Sequence, residues 1–318
     1  MFEQLMPETS PPGATSDESH RTFSVVVPTY ERPVQLARCL NALVNLSYPV
    51  HRYEIVVVDD GGGGSTAELV ATANASDRAS VVLLTTERGG PAKARNAGAR
   101  VATGTFLAFV DDDCVPAPNW LTHLERRLVA RPAALIGGHT ENAVTGSRCS
   151  TASQLLVDYL YSYYFQRHKG SRFFTTNNIA VAAAGFHQSG GFDESFPLVA
   201  GGDREFCERW ERSGGGLEYA DDAIVNQWHR LTLGRFVRQH LNYGRGADFL
   251  HRSRARAGAA GGRRPPKLEP PAFYWNLIWY PFKRKPPVEA AVLSCLMFLS
   301  QTAYGCGYVY QRAKNVFA

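Results

Sequence analysis

Short, wholly apolar segments that alternate with amphipathic ones constrain this chain more than any other feature. Five apolar runs occur in the first half: FSVVVPTY (23–30), YEIVVVDD (53–60), SVVLLTT (80–86), TFLAFVDDD (105–113) and AALIGG (133–138). Continuous apolarity, without a polar residue at every second position, predicts strands that are covered on both faces. The intervening segments 33–46, 91–102 and 119–130 have the apolar spacing of helices. This repetition predicts an α/β fold with a mostly parallel sheet and flanking helices.

Polar residues gather where the predicted strands end. Thr29-Tyr30-Glu31 follows the first run, Asp59-Asp60-Gly61 the second, and Asp111-Asp112-Asp113 the fourth. Ligands of such sheets bind beyond the carboxyl ends of the strands, so we expect the functional site there. The first strand is followed by PTYERP and not by G-x-G-x-x-G, which argues against an ordinary NAD or FAD site.

Three consecutive carboxylates, Asp111, Asp112 and Asp113, follow the apolar run LAFV. Acidic residues at a strand end commonly form a solvated turn, but a wholly apolar strand places this triplet at the mouth of the sheet. Strand alternation predicts that Asp111 and Asp113 point one way and Asp112 the other. Two carboxylates on one side suit Mg²⁺ or Mn²⁺, which keep coordination positions for water and phosphate. We therefore expect a divalent cation at this position.

Six motifs, in the same order along the chain, resemble those of family 2 glycosyltransferases of the GT-A fold. They are VVVPTYERP, VVVDDGG, GPAKARNAGA, FVDDDCVP as the D-x-D motif, GGFDESF, and GGDREF in the place of the E-D motif. They extend over residues 23 to about 245, roughly three-quarters of the chain. The resemblance implies an inverting, metal-dependent enzyme that moves a sugar from a nucleotide-sugar, commonly a UDP-sugar, to a hydroxyl group.

The resemblance also implies which residues bind the nucleotide. Pro28, Tyr30, Glu31 and Asp60 would surround the base and the ribose. Tyr30 would stack on the base, and Asp60 would accept a hydrogen bond from the N–H of uracil. The structural interpretation of the same residues is a packed strand-end aromatic for Tyr30 and a turn residue for Asp60.

Further donor contacts are implied for residues on the following elements. Lys93 and Arg95 lie on a predicted helix and would reach the diphosphate. Asp112 would face the ribose or the sugar. Asn178, or its neighbour Asn177, would lie near the donor sugar.

The metal ligands and the base are implied in the same way. Asp111 and Asp113 would hold the metal, and His229 would be a third ligand, although a single histidine is more often structural. Inversion needs a base on the face opposite the nucleotide, and Asp203 resembles the family's catalytic aspartate; its structural interpretation is a helix N-cap. The family often has Glu before this aspartate, whereas this chain has Gly202, so donor binding without turnover stays open.

The segment FVRQHLNYG (236–244) indicates how many sugars are moved. Its apolar positions predict a helical face that includes Phe236, Leu241 and Tyr243. It lacks the Q-x-x-R-W motif of processive, polymerising members of the family. Transfer of a single sugar is therefore favoured over polymer synthesis.

Composition divides the chain into four regions. A disordered lead without an export signal is predicted for residues 1–20, the GT-A domain for 21–250, a basic Gly/Pro-rich linker for 251–272, and an aromatic, apolar, membrane-associated helical region for 273–318. Within the domain, residues 21–140 would form the donor half and 141–250 the acceptor half. The six cysteines form no C-x-x-C pair, so neither a zinc site nor a disulfide framework is indicated.

The charge distribution and the C-terminal region point to a membrane partner. Residues 230–287 hold 13 basic and two acidic residues, a charge of +11, whereas the 21 basic and 27 acidic residues elsewhere give −6. FYWNLIWYPF (273–282), Lys283-Arg284-Lys285 and the charge-free stretch 290–311 are typical of a membrane interface, although a buried helical hairpin has a similar pattern. We expect a cytoplasmic enzyme at the inner face of the plasma membrane, bound to its anionic surface, with a lipid-linked or cell-envelope glycan as acceptor.

Two other functions fit parts of the pattern. A nucleotidyltransferase would carry a Gly-rich phosphate loop with a basic residue after the first strand, which PTYERP lacks. A non-catalytic nucleic-acid-binding protein would need its basic and aromatic residues on one folded face, whereas here they occupy successive segments. We therefore expect no nucleic acid partner. The pattern does not fix the oligomeric state.

Overall fold

The structure is a computed structural model that describes residues 22–75, 78–166, 172–196, 200–259 and 269–316. Within these residues the strands are β1 Phe23–Thr29, β2 Tyr53–Asp60, β3 Ser80–Thr86, β4 Phe106–Val110, β5 Cys114–Pro116, β6 Ala134–Asn142, β7 Asn178–Ala182 and β8 Gly216–Gln227. The α-helices are α1 Pro33–Val44, α2 Gly64–Asn74, α3 Pro91–Val101, α4 Trp120–Ala130, α5 Arg148–Gln166, α6 Ala183–Gln188, α7 Gly202–Arg212, α8 Leu233–Ala259, α9 Pro271–Trp279 and α10 Pro287–Val316. The predicted lead (1–20) lies outside the described residues.

All eight strands form one sheet in the order β3-β2-β1-β4-β7-β6-β8-β5. β1 pairs in parallel with β2 and β4, β2 with β3, and β6 with β8. β7 is antiparallel to β4 and β6, and β5 is antiparallel to β8. The predicted α/β fold with a mostly parallel sheet is confirmed. The carboxyl ends of β1, β2 and β4, at Thr29, Asp60 and Val110, lie at one edge of the sheet, here called the carboxyl edge.

The central strands are apolar throughout because both faces of the sheet are buried. In β1, Val25 and Val27 belong to one core layer together with Leu36 of α1. Val26, between them, belongs to the opposite layer together with Ala97 of α3. Successive side chains of a strand point to opposite faces, so two covered faces require an uninterrupted apolar run.

Helix α8 replaces the first part of the predicted basic linker. The prediction placed the linker at 251–272, but α8 continues to Ala259, and residues 260–268 lie outside the described residues. Arg252 pairs with Asp248 one turn earlier at 3.2 Å, and Nε of Arg254 donates to Glu208 of α7 at 2.8 Å. These ion pairs give the arginines fixed partners and stabilise a helix in a segment whose composition indicated a loop.

The C-terminal helices are packed into the main core. Phe273 and Leu277 of α9 and Leu293 and Met297 of α10 belong to the same apolar layer as α5. Helices α8 and α10 pack so closely that a Cβ atom at Gly244 would lie 1.8 Å from the backbone oxygen of Tyr304. Among the described helices, α10 alone is long and apolar enough to cross a membrane, a property that core helices of soluble proteins share.

Candidate functional site

A turn that carries the three carboxylates forms the centre of the site at the carboxyl edge. Strand β4 ends at Val110, and the amide of Cys114 donates to the carbonyl of Asp111 at 3.1 Å, which closes a turn over 111–114. The prediction that Asp111 and Asp113 point one way and Asp112 the other assumed that the strand continues through them. Strand alternation stops at Val110, so this assumption does not hold. Arg32 contacts both Asp112 and Asp113.

The last residue of β1 and the loop that follows it supply the partners of Asp112. The hydroxyl of Thr29 donates to Asp112 at 2.8 Å, and Nη1 of Arg32 lies 3.1 Å from Asp112 and 3.7 Å from Asp113. β1 and β4 are adjacent parallel strands, so the residues that follow them meet. On the other side of the turn, Asp111 is ion-paired with the buried Arg95 of α3.

The end of β8 holds Asp113 from a third direction. Nε2 of Gln227 donates to Asp113 at 3.2 Å, and Nδ1 of His229 lies 3.4 Å from the same carboxylate. The amide of Trp228 donates to the carbonyl of Asp113 at 2.8 Å. The structure thus brings His229, the third predicted metal ligand, to Asp113 across 116 positions of sequence.

The two buried carboxylates of the turn have opposite pKa shifts. Burial raises the pKa of Asp112 to about 6, although Arg32 and Thr29 act in the other direction. Burial also acts to raise the pKa of Asp113, but the hydrogen bond and charge of His229, with Gln227 and Arg32, lower it below its usual value. Asp113 is therefore the more persistently ionised of the two, as a cation ligand has to be.

The chemistry of this group suits a divalent cation. Carboxylate oxygens from Asp111 and Asp113 and an imidazole nitrogen from His229 are ligands that Mn²⁺ and Mg²⁺ accept. Arg32 and Arg95 are ion-paired with carboxylates of the turn, which shows that these carboxylates attract cationic groups. Among the described residues, no three or more His, Cys, Asp or Glu side chains are grouped as a preformed metal site. The types of ligand atom fit a metal. In this structure, Asp111 contacts the guanidinium group of Arg95, and Asp113 contacts that of Arg32.

The predicted nucleotide-binding residues lie beside the turn. The ring of Tyr30 is stacked by Arg88, with 4.3 Å from the guanidinium carbon to the ring centre, and rests against Gly61, where a Cβ would come within 2.9 Å of the ring. Glu31 has a φ of 50°, which non-glycine residues adopt at a cost, commonly at functional sites. Pro28, also predicted to bind the nucleotide, does not lie in this loop, because it is buried inside β1 opposite Val58 of β2.

Asp60 and Lys93 both contact the loop between β3 and α3. The two carboxylate oxygens of Asp60 accept from the amides of Gly89 and Gly90 at 2.7 and 2.8 Å. A Cβ at Gly89 would lie 2.2 Å from Cδ of Lys93, so the lysine stem covers this loop. Asp60 therefore anchors the loop at the start of α3, and a hydrogen bond to a nucleotide base would use a remaining lone pair.

Asn178, the predicted donor contact, has a structural position in the sheet. The residue is only 1% exposed, its Oδ1 accepts from the indole of Trp120 at 2.9 Å, and its Nδ2 donates to the carbonyls of His139 and Ala223. These three bonds tie β7 to α4, β6 and β8. Its neighbour Asn177 lies next to Cys114 at the acidic turn instead, with 3.9 Å between Nδ2 and Sγ.

The predicted base lies in the first turn of α7. The N-cap is Gly201, in the left-handed region at φ 89°, so Asp203 is not the cap that the structural interpretation requires. Burial raises the pKa of Asp203, while the positive charges of Arg204 and Arg95 act to lower it. Arg95 also pairs with Asp111, so one guanidinium acts on both the turn and the predicted base.

Three residues that the sequence analysis did not identify also lie at this site. Arg32 occurs within the motif PTYERP, but its pairing with Asp112 depends on a contact across 80 positions. Gln227 gave no signal beyond its place before His229. Tyr243 was predicted on the apolar face of a helix, but desolvation, followed by the charges of Asp203, Asp111 and Asp113, raises its pKa, so it senses the acidic turn and the predicted base.

Comparison with known proteins agrees with this arrangement. The family model described as glycosyl transferase family 2 matches residues 24–190. Glycosyltransferase AglE of Haloferax volcanii is 27% identical over 223 residues, which cover 70% of this chain and 72% of that protein. Poly(ribitol-phosphate) beta-N-acetylglucosaminyltransferase TarS of Staphylococcus aureus is 38% identical over 91 residues, but these cover only 29% of this chain and 16% of that protein.

Solved structures show the same fold. The mannosyltransferase PcManGT of Pyrobaculum calidifontis, in complex with GDP-Man and Mn²⁺, has a TM-score of 0.62 at 18% identity and covers 96% of this chain and 90% of its own. S. aureus TarS 1-349 in complex with UDP-GlcNAc has a TM-score of 0.52 at 18% identity, covering 92% of this chain and 91% of its own. With the family model spanning more than half of the sequence, this chain belongs to glycosyl transferase family 2 and is a glycosyltransferase of the GT-A fold.

Proposed function

We propose that this protein is an inverting, metal-dependent enzyme that moves one sugar from a UDP-sugar to a hydroxyl group of an acceptor. The observation that carries the proposal is the acidic turn, held at the carboxyl edge between Arg32, Arg95 and His229, with Asp203 under the influence of the same Arg95. A nucleotidyltransferase or a nucleic-acid-binding protein is not favoured, because the relatives are named as glycosyltransferases.

Asp111, Asp113 and His229 would hold Mn²⁺ or Mg²⁺. When bound, the ion neutralises the negative charge that a departing nucleoside diphosphate develops. Support comes from the position of His229, whose Nδ1 lies 3.4 Å from the carboxylate of Asp113. The structural neighbour PcManGT carries Mn²⁺ with its donor.

The donor would bind along the carboxyl edge. Tyr30 and Glu31 would contact the base and ribose, and Asp60 would add a hydrogen bond while it anchors the loop before α3. Lys93 and Arg95 would approach the diphosphate, and Asp112, positioned by Thr29, would face the ribose or the sugar. We propose UDP as the nucleotide because the relative TarS binds UDP-GlcNAc, and GDP-sugars are the alternative to test because PcManGT binds GDP-Man.

Asp203 would act as the base. One carboxylate oxygen takes the proton of the acceptor hydroxyl while that oxygen bonds to the anomeric carbon, and the bond from this carbon to the nucleoside diphosphate breaks. Burial raises the pKa of Asp203, which makes the ionised carboxylate a stronger proton acceptor than an exposed one. The positive charges of Arg204 and Arg95 act against this rise in pKa and favour the ionised carboxylate that a base requires.

The acceptor is proposed to be a lipid-linked or cell-envelope glycan, and the enzyme to work at the cytoplasmic face of the membrane. Support comes from the charge of +11 over residues 230–287 and from the apolar helix α10. The relative TarS is named for a poly(ribitol-phosphate) acceptor, which is an anionic polymer.

A screen of donor hydrolysis and thermal shift tests the proposal, because neither readout requires the acceptor. The full chain is combined with UDP-sugars and GDP-sugars, each with Mn²⁺, Mg²⁺ or chelator. We expect stabilisation and slow hydrolysis with a UDP-sugar and metal only. Asp113→Ala should weaken metal-dependent UDP binding, and Asp221→Asn, whose side chain is 81% exposed, should not. Hydrolysis that persists in excess chelator would contradict the metal site.

A further inference from the structure

An exposed aromatic cluster covers the end of α9. Trp275, Trp279 and Phe282 are 66%, 44% and 39% exposed. Their rings nevertheless contact one another, with centroids 5.7 Å apart for Trp275 and Trp279 and 5.0 Å apart for Trp279 and Phe282. A contiguous patch of large aromatic side chains in water is unfavourable and marks a binding surface.

Basic residues border this aromatic cluster. Lys283 and Arg284 are exposed and follow Phe282 directly, and the guanidinium of Arg284 lies 4.0 Å from the ring centre of Tyr280. Lys285 pairs with Glu289 at 3.7 Å. Tryptophans next to lysines and arginines are the combination that the headgroup region of a bilayer selects, with the rings among the upper acyl chains and the cations at the phosphates.

Helix α10 has two different faces. Its inner face packs on α8 and α5 through small and apolar residues, among them Ala290, Leu293, Met297, Ala303 and Gly307. Its outer face exposes Val288 at 83%, Phe298 at 66% and Val309 at 65%, and it carries no charge between positions 290 and 311. An uncharged apolar outer face is unusual for a helix that only meets water.

The contacts of the inner face are incompatible with a membrane-spanning α10. Asn315 donates to the buried carboxylate of Asp248 at 2.7 Å, and Arg245 donates to the buried Gln311 at 3.1 Å. A spanning α10 would either break these bonds or carry Asp248 and Arg245 of α8 into hydrocarbon, which costs several kcal/mol for each charge. The outer face can meet lipid only while the inner face stays on the domain.

We propose that Trp275, Trp279, Phe282, the basic residues 283–285 and the outer face of α10 form a monotopic membrane-binding surface. The occupant is a bilayer with anionic headgroups, on which α10 lies without crossing. This inference rests on the membrane location in the proposed function and adds its geometry. It is independent of the donor, the metal and the base.

Co-sedimentation of the full chain with vesicles tests the surface. The vesicles contain phosphatidylcholine alone or an equimolar mixture with phosphatidylglycerol. We expect binding to the mixture, a loss of about tenfold in partitioning for W275S/W279S, and a loss of the preference for phosphatidylglycerol in K283Q/R284Q. V129S is the matched control, since Val129 is 64% exposed on α4, and it should bind like the native chain. Equal partitioning of all variants would overturn the proposal.

Two further readouts separate the competing outcomes. High salt at alkaline pH should release the chain from vesicles, and retention that only detergent reverses would show a spanning helix instead. Light scattering without lipid should give the same mass for the native chain and W275S/W279S; a dimer that the substitutions dissociate would identify a second copy as the partner. Donor hydrolysis in lipid-free buffer should be equal in all variants. If the native chain does not hydrolyse any donor, this result would count against the proposed function and not against this surface.

Discussion

At the scale of single residues, Asp203 links reactivity to stability. To act as the proposed base, its carboxylate has to be ionised in surroundings that raise its pKa, and burial is the main cause of that rise. An ionised group whose pKa is raised by folding destabilises the folded state at neutral pH, and this penalty disappears as the pH falls and the group is protonated.

We therefore expect Asp203→Asn to have two opposite effects. Transfer should fall by about a hundredfold to ten-thousandfold because the proton acceptor is lost, while UDP binding should stay within a few-fold. The melting temperature should rise at pH 7.5, and the gain should shrink toward pH 4. Calorimetric titration with UDP and thermal unfolding across pH measure both. An equal loss of transfer and of UDP binding would contradict the assigned role.

Asn178, the predicted donor contact, is buried and ties β7 to α4, β6 and β8. Asn178→Ala removes three hydrogen bonds and leaves the indole of Trp120 and two carbonyls without their partner. We expect a loss of roughly 2–4 kcal/mol in the free energy of unfolding and unchanged UDP affinity of the folded protein. Urea titration measures the loss, with the exposed Asn41→Ala as control. Weaker UDP binding at unchanged stability would instead support the predicted donor contact.

At the scale of elements, two glycines set the distance between α8 and α10. A Cβ at Gly244 would lie 1.8 Å from the oxygen of Tyr304, and one at Gly307 would lie 2.0 Å from the oxygen of Leu241. Both contacts are to backbone, which cannot rotate away as a side chain can. The helices therefore touch main chain to main chain at two points.

Gly244→Ala and Gly307→Ala should each destabilise the protein by about 1–3 kcal/mol, because the helices must separate. Gly305→Ala is the matched control, since a Cβ there meets nothing within 4 Å and alanine favours the helix. Thermal unfolding and limited proteolysis within α10 measure the effect. Equal behaviour of Gly305→Ala and Gly307→Ala would show that the close packing does not matter.

The sequence predicted the elements better than it predicted their ends. The β strands of the first half and helices α1, α3 and α4 follow from apolar runs and helical spacing, which are local properties. Helix α2 has a weaker signal, because only Thr66 and Val70 are buried. The end of β4 at Val110 depends on the turn bond from Cys114 to Asp111, which the apolar run does not reveal. The acidic turn lies at the carboxyl edge, but strand alternation does not extend into it, so the predicted orientation of its side chains has no strand to rest on.

At the scale of the whole molecule, the C-terminal region completes the core. Sequence composition suggested a separable membrane region, but Phe273, Leu277, Leu293 and Met297 are buried in the layer formed with α5. Such packing joins segments that are far apart in sequence, so periodicity within each segment cannot predict it. The pairing of Arg32 with Asp112 was not predictable for the same reason.

Deletion of residues 269–318 should therefore aggregate the protein instead of releasing a soluble enzyme. The truncation uncovers the apolar residues of α5 and α8 that α9 and α10 now cover, and an exposed apolar patch of that size favours association. Light scattering and the soluble yield measure this outcome. A monomeric truncated chain that still binds UDP would show that the domain is complete without its C-terminal helices.

The neighbouring positions of Tyr243 and Gly244 have a consequence for how acceptors reach the enzyme. Gly244 touches the helix whose outer side we assign to lipid, and Tyr243, one position earlier, senses the charges of the reactive carboxylates. If the acceptor is lipid-linked, as proposed, its head group would approach the carboxylates from the side of α8 that packs on α10. The enzyme would then gather its second substrate by diffusion in two dimensions, and the lipid tail would not have to leave the membrane.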